Sequence, residues 1–307
     1  MSLRLTLLTA FFRAFAKPRL RRTTDPVVAR RDFLLAARLF LTRGSPAVPV
    51  PATPAMLRYD PPGGQTQRAI LYFHGGGYIV GSPATHRGLA SRLARETGLS
   101  VWLPDYRLAP EHPYPAAWDD ADAAWAALLA TGLAPRDIVL AGESAGGGLA
   151  FAQLSRLCAA GTPPAGVVAF SPWVDLTGKS ASLITNTLRD PLLPAEVFAL
   201  LAGHVLAGHP ADDPRASPLF ADYPGCPPVL LQVSDTEILR DDSVNLARRL
   251  HGFGAAVTLQ VSPATPHAWQ LMVARLPEAD AAVRAAGAFV RSLFGAAHQA
   301  FPPTFTR

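Results

Sequence analysis

Ile138-Val139-Leu140-Ala141-Gly142-Glu143-Ser144-Ala145-Gly146-Gly147-Gly148-Leu149-Ala150 is the stretch that decides the fold. Four apolar residues read as a buried strand, and the residues after Ser144 read as a helix. Between them stands G-x-S-x-G, in strand–turn–helix context. Such a turn is tight and strained, and it lifts one serine hydroxyl above the end of a sheet. Gly142 and Gly146 keep the space on either side free of side chains. The helix N-terminus behind Ser144 adds positive partial charge where an oxyanion would develop. The competing reading is a glycine-rich turn without chemistry, and the flanking strand and helix speak against it.

Outward from this turn, short apolar runs alternate with longer helical segments. The predicted strands are 69–73, 101–104, 138–141, 167–170, 229–233 and 257–261, with short edge strands near Met56–Tyr59. The predicted helices are 87–97, 116–130, 144–160, 241–251 and 278–294. This alternation predicts an α/β fold whose mostly parallel sheet carries helices on both faces. Apolar runs of this kind suit strands buried on both sides.

Two regions break the rhythm. Roughly sixty residues separate Phe170 from Val229, too many for a structureless loop. They hold a helix-like stretch, Pro194–Leu206, and read as an insertion packed over the sheet edge. Residues 1–43 form the second region, with apolar positions at helical spacing (Leu5, Leu8, Phe11, Phe12, Phe15, then Phe33, Leu34, Ala37, Leu41). Pro18 and Pro26 punctuate it, which predicts two helices. The expected division is 1–43, N-terminal helices; 44–173, first part of the sheet domain; 174–216, insertion; and 217–307, second part of the sheet domain.

Charge is unevenly placed. Residues 1–43 carry ten Lys and Arg against two acids, a net of +8, so the rest of the chain carries −3 of the total +5. A nucleic-acid enzyme is expected to hold its basic surface near its active site; this distribution argues against one. Met1–Ala16 has some features of a secretory signal, but Arg13 interrupts it and the basic residues follow the apolar run, so an amphipathic helix is the preferred reading. No apolar run reaches the length of a membrane span. Two cysteines, with Cys158 in an apolar helical stretch, build neither a disulfide framework nor a zinc site, and a cytoplasmic protein is expected.

His74-Gly75-Gly76-Gly77-Tyr78 follows the strand 69–73. Three glycines let the backbone approach a substrate carbonyl and aim N–H groups at it, and the N–H of Ala145, just after the serine, supplies the other half of such an oxyanion hole. A phosphate cradle is the rival, but neither the Walker pattern nor a dinucleotide fingerprint is present.

Four motifs now stand in order: His74–Tyr78, Asp105-Tyr106-Arg107-Leu108-Ala109-Pro110-Glu111, Gly142–Gly147 and Ser171-Pro172-Trp173-Val174-Asp175-Leu176. Over roughly residues 68–295 the chain resembles the bacterial hormone-sensitive-lipase family of carboxylesterases. The resemblance implies an α/β-hydrolase fold with an eight-stranded sheet and a helical cap, built from the N-terminal helices and the insertion. It implies oxyanion donors at Gly76 and Gly77, and a homodimer through the sheet edge. Asp105, Arg107 and Glu111 would brace the region beside the glycine loop. The family's usual G-D-S-A-G carries Asp where this chain has Glu143.

In this fold the triad runs serine, acid, histidine. Of eight histidines, His74, His86 and His112 precede Ser144, His204 and His209 lie in the insertion, His251 ends a helix, and His298 lies beyond the last one. His267 alone follows a late strand by a short loop, the position of a general base. The acid must come from Ser234-Asp235-Thr236-Glu237-Ile238-Leu239-Arg240-Asp241-Asp242. Setting the family motif Asp-Pro-Leu-x-Asp on Leu239 and Asp241 places the catalytic carboxylate at Glu237, with Asp235 as the second choice. Asp241 and Asp242 are expected to serve the first turn of the next helix.

The expected function is hydrolysis of a small-molecule carboxylic ester, of short to medium chain, through an acyl-enzyme on Ser144, with no metal and no cofactor. Hydrolysis of an amide, carbamate or lactone is the alternative, followed by a ligand-binding protein on the same fold; the presence of His267 weakens the latter. Leu192, Leu193, Phe198 and Leu201, with Phe11, Phe12 and Phe15, are candidates to line an acyl pocket. The N-terminal helices are read as a cover for Ser144 with a solvated basic face, in preference to contact with an anionic membrane surface.

Overall fold

The computed structural model describes residues 1–295; His298, placed by the sequence beyond the last helix, lies outside them. Eight strands form one sheet: β1 (Val48–Val50), β2 (Met56–Tyr59), β3 (Ala69–Phe73), β4 (Ser100–Pro104), β5 (Ile138–Glu143), β6 (Gly166–Phe170), β7 (Val229–Ser234) and β8 (Val257–Ser262). Their order is β1-β2-β4-β3-β5-β6-β7-β8. β1 and β2 are antiparallel to their neighbours, and β4 through β8 are all parallel. This is the α/β-hydrolase sheet that the sequence implied.

Helices cover both faces. α4 (Arg87–Thr97) and α10 (Pro277–Ser292) pack on one, against Ile70, Tyr72, Val101, Val139 and Leu230. α5 (Ala116–Leu129), α6 (Ala145–Ala159) and α9 (Arg240–Gly252) pack on the other, against Leu71, Phe73, Leu140, Val167 and Leu231. Alternate residues of one strand therefore enter different cores, and both sets are apolar, which is why the strands read as continuous apolar runs. β8 is the exception. It lies at the edge of the sheet, and Thr258 and Gln260 on it are only partly buried.

The N-terminal region holds more helix than its prolines suggest. α1 (Leu3–Phe11) runs through a π-helical turn, Phe12–Ala16, directly into α2 (Lys17–Arg22), with Pro18 inside the helix. Proline has no N–H and its ring crowds the carbonyl four residues back, so it normally ends a helix. Here the Lys17 N–H bonds to the Phe12 carbonyl, five residues back, and the widened turn relieves that crowding. Pro26 behaves as expected: it opens α3 (Pro26–Phe40), where the Asp25 carboxylate accepts from the Val27 N–H at 2.8 Å.

The insertion contains α7 (Ser182–Thr185) and α8 (Glu196–Leu206). It is joined to the N-terminal helices by Lys17 Nζ, which donates to the carbonyls of Thr187 (2.6 Å) and Asp190 (2.7 Å), and by an Arg21–Glu196 pair at 2.9 Å. Arg30 of α3 reaches the sheet domain, donating to the carbonyls of Ile79 and Ala109 at 2.9 Å each and to Glu111. Among the described residues no helix is long and apolar enough to cross a membrane.

Candidate active site

Parallel strands β5, β6, β7 and β8 are neighbours, and their carboxyl ends deliver Ser144, Ser171, Glu237 and His267 to one edge of the sheet. That edge is where open α/β sheets place their sites.

Ser144 stands between β5 and α6 with φ 54° and ψ −124°, a conformation that L-residues rarely adopt. Its N–H donates to the Phe170 carbonyl at 3.0 Å, and its own carbonyl accepts from Gly148 and Trp173. The backbone is thus held on both sides. Gly146 is required by this packing, because a Cβ there would lie 2.0 Å from the Phe73 carbonyl oxygen.

His267 Nδ1 lies 2.7 Å from Glu237 Oε2. The other carboxylate oxygen of Glu237 accepts from Ser171 Oγ at 2.7 Å and from the Ser234 N–H at 2.8 Å. Glu237 is fully buried, and burial lifts its carboxyl above the ordinary range against the pull of His267. For His267, burial pushes the imidazole down, but the hydrogen bond and charge of Glu237 outweigh it and leave the ring above its ordinary value. Asp235 faces elsewhere: it accepts from the Ala264 N–H at 2.7 Å and lies 3.5 Å from Arg189. Of the two candidate acids, Glu237 is the one in contact with the histidine.

The glycine loop follows β3. Gly76 and Gly77 have φ of +117° and +61°, open to glycine at little cost, and a Cβ on Gly76 would meet the Val80 carbonyl at 2.2 Å. Among the described residues no hydrogen bond uses the N–H groups of Gly76, Gly77 or Ala145. The Gly75 N–H, by contrast, is taken by the carboxylate of Glu143, which also accepts from Tyr72 Oη and lies 2.8 Å from His86 Nε2. Glu143 therefore does more than replace an aspartate: it ties the glycine loop to the turn that carries Ser144. His74 is stacked between His86 and Tyr106, with ring centroids 5.2 and 4.2 Å away, and burial pushes it down to about 3. It is a neutral packing residue. Arg107 pairs with Asp120 at 2.8 Å, and Glu111 with Arg30. Both are bracing contacts beside the loop.

Sequence reasoning missed the residues that hold the acid loop. Ser171 opens the Ser171–Leu176 motif, and its hydroxyl supports Glu237. Asn186 Nδ2 donates to the carbonyls of Asp235 (3.1 Å) and Glu237 (2.7 Å), and Asp190 accepts from the N–H of Ile238 at 3.0 Å. Asp241 and Asp242 were expected to serve their own helix. Both do stand in the first turn of α9, and their carboxylates also reach beyond it: Asp242, buried and pushed up to about 7 by that burial, accepts from the N–H groups of Val174 and Asp175 and from Ser180 Oγ. Asp241 accepts from the Ser182 N–H at 3.0 Å. Both carboxylates fasten the insertion. Only the spacing of polar residues within 174–193 hints at this, since each partner lies some fifty to seventy positions away.

Of the candidate pocket residues, Phe12 and Phe198 are buried, Leu193 and Leu201 partly so, and Phe15 is exposed. Leu201 lies over the glycine loop, with its Cδ1 3.2 Å from where a Cβ on Gly77 would stand.

Comparison with known proteins points the same way. A family profile for the alpha/beta hydrolase fold matches residues 70–271. An acetyl-hydrolase of Streptomyces hygroscopicus is 43% identical over 235 residues, covering 76% of this chain and 79% of its own. An esterase of Acinetobacter venetianus is 39% identical over 226 residues, covering 73% and 75%. The crystal structure of an esterase from the bacterial hormone-sensitive lipase family superposes with a TM-score of 0.88 at 38% identity, over 96% of this chain and 99% of that one. Fold, ordered motifs and relatives agree: the chain is a carboxylic ester hydrolase that belongs to the bacterial hormone-sensitive-lipase family of the alpha/beta hydrolases.

Proposed function

We propose that this protein is a serine carboxylesterase for short- to medium-chain esters, acting through an acyl-enzyme on Ser144. The observation that carries the reading is the 2.7 Å contact of Glu237 with His267 Nδ1, on the same sheet edge as the strained Ser144. A carboxylate at Nδ1 fixes the proton there and leaves Nε2 free to act as base. Ser144 Oγ attacks the ester carbonyl while His267 takes its proton. The tetrahedral oxyanion receives N–H groups from Gly76, Gly77 and Ala145, each such donor being worth about 3 kcal/mol. The alkoxide leaves as an alcohol with the proton held by His267. Water then attacks the acyl-serine by the same route in reverse and releases the acid.

The N-terminal helices and the insertion act as a cap over this edge. Leu201 above Gly77 and the Lys17 contacts with residues 187 and 190 support that reading. The acetyl-hydrolase name of one relative supports a short acyl group. The test is a panel of p-nitrophenyl esters of rising acyl length, together with labelling by a fluorophosphonate. Turnover that Ser144→Ala abolishes, and covalent label on Ser144, are expected. Undiminished turnover by Ser144→Ala overturns the mechanism.

A further inference from the structure

The exposed apolar side chains of this protein are not scattered. Of the sixteen large hydrophobic residues exposed among the described residues, thirteen fall within 1–43 or 174–216. Single exposed leucines are ordinary on a protein surface, whereas a cluster marks a contact. On α1 and the π-helical turn, Leu7 (63% exposed) and Phe15 (64%) point outward while Leu5 and Phe12 are buried. On α3, Leu35 and Leu39 are exposed, and on and after α7, Ile184 (83%) and Leu188 (87%). These segments adjoin. Arg13 donates to the Arg189 carbonyl at 3.0 Å, Lys17 to that of Thr187, and the rings of Phe11 and Phe40 lie 5.4 Å apart.

The same segments carry a basic excess, although Arg21 pairs with Glu196 and Arg30 with Glu111. Both acids of residues 1–43 are engaged: Asp25 caps α3, and Asp32 lies 2.7 Å from Arg19 and 3.6 Å from Arg31. Arg31 and Arg38 are exposed on α3 together with Leu35 and Leu39, and among the described residues no carboxylate pairs with Arg38. The sequence alone suggested a basic face that is merely solvated. The structure puts leucines and phenylalanine on that face as well. Arginine interleaved with leucine fits the boundary of an anionic bilayer, where apolar side chains enter the acyl region and guanidinium groups remain at phosphate level.

From this we infer that the outer face of residues 1–43, continued by the 184–188 turn, docks reversibly on an anionic lipid surface. The inference concerns binding and does not depend on the serine mechanism. Its consequence for the enzyme is delivery: the site beneath the cap would meet esters held at that surface.

The test uses the full chain carrying Ser144→Ala, so that no lipid ester is consumed. The protein is mixed with vesicles of phosphatidylcholine alone, or of phosphatidylcholine with phosphatidylglycerol, and floated. It is expected to rise with the anionic vesicles only. Release is expected at 1 M salt, where the screening length falls to about 3 Å from about 10 Å at 0.1 M. Each basic residue near such a surface strengthens binding about fivefold, so Arg31→Gln with Arg38→Gln should lower the partition coefficient roughly 30-fold. In an otherwise wild-type background that pair should leave turnover of a soluble ester unchanged. Leu7→Asp with Leu188→Asp should abolish flotation. Equal flotation with both vesicle types, or with neither, overturns the inference, and this comparison stands even where a substituted chain fails to fold. So does a lipid-free dimer that either pair of substitutions splits, since a second copy would then cover this face.

Discussion

Replacing Glu237 by Gln tests the site most sharply, because the surroundings of this carboxylate penalise an amide in either orientation. One oxygen faces His267 Nδ1 at 2.7 Å, and the other faces the Ser234 N–H at 2.8 Å, a group that can only donate. An amide that keeps its oxygen on Ser234 turns its NH₂ toward Nδ1. That forces the proton to Nε2, the tautomer that cannot accept from Ser144. The opposite orientation leaves the histidine correct but sets NH₂ against the Ser234 N–H in a buried place, at a cost of about 1–3 kcal/mol for the unpaired donors. The first orientation therefore dominates. Forcing the wrong tautomer in a triad lowers kcat by about 10⁴-fold, equivalent to some 5 kcal/mol of barrier. Steady-state hydrolysis of p-nitrophenyl acetate or butyrate reads the effect in kcat, with little change in KM. Asp235→Asn, which alters a half-exposed carboxylate bonded to the Ala264 N–H, should stay within several-fold of wild type. An inactive Asp235→Asn beside an active Glu237→Gln would refute the reasoning.

Further outcomes are open to measurement. In the proposed mechanism His267 must be neutral to act as base, and its environment holds it above the ordinary histidine value, so kcat/KM should fall as pH drops through a point above 6.5; a pH profile whose acid limb lies below 6.5 contradicts this. Asp190→Ala leaves the N–H groups of Leu192, Leu193 and Ile238 without their acceptor and should cost on the order of 3 kcal/mol in denaturant unfolding, whereas a loss under 0.5 kcal/mol would show that water replaces it. Deleting residues 1–30 removes Lys17 from the 187 and 190 carbonyls and Arg30 from Glu111; KM and acyl-length preference should shift strongly, and wild-type kinetics on soluble esters would speak against a covering role. Gly146→Ala drives a methyl group into the Phe73 carbonyl and should abolish activity, through either the turn or the fold, as circular dichroism beside the assay distinguishes.

The sheet was legible because its signals are local. Residues 69–73 and 138–141 are apolar runs of strand length bounded by glycine turns, and the structure shows why they do not alternate: Leu71 enters one core and Ile70 the other. The serine turn and glycine loop were legible for the same reason, as was the histidine, whose place follows from chain order. The helix through Pro18 was not, because this proline is accommodated past the first turn by a carbonyl ladder that slips by one residue, and nothing in the composition of 12–16 announces that slip. Nor were the roles of Glu143, Asp190 and Asp242. Each carboxylate works on backbone N–H groups from distant parts of the chain, and backbone groups leave no trace in the identity of the residue that bears them.

Ser144 holds a backbone conformation that glycine would adopt more comfortably, at a cost of order 1–3 kcal/mol to the folded chain. Strain is thus stored at the residue to which the proposed mechanism assigns the nucleophile. A screen that rewarded thermal endurance alone would drift toward glycine at position 144 and, on the proposed mechanism, yield a sturdier, inert protein. Retention of serine there, in any collection of variants evolved for heat resistance, becomes a record of whether turnover was being selected at all.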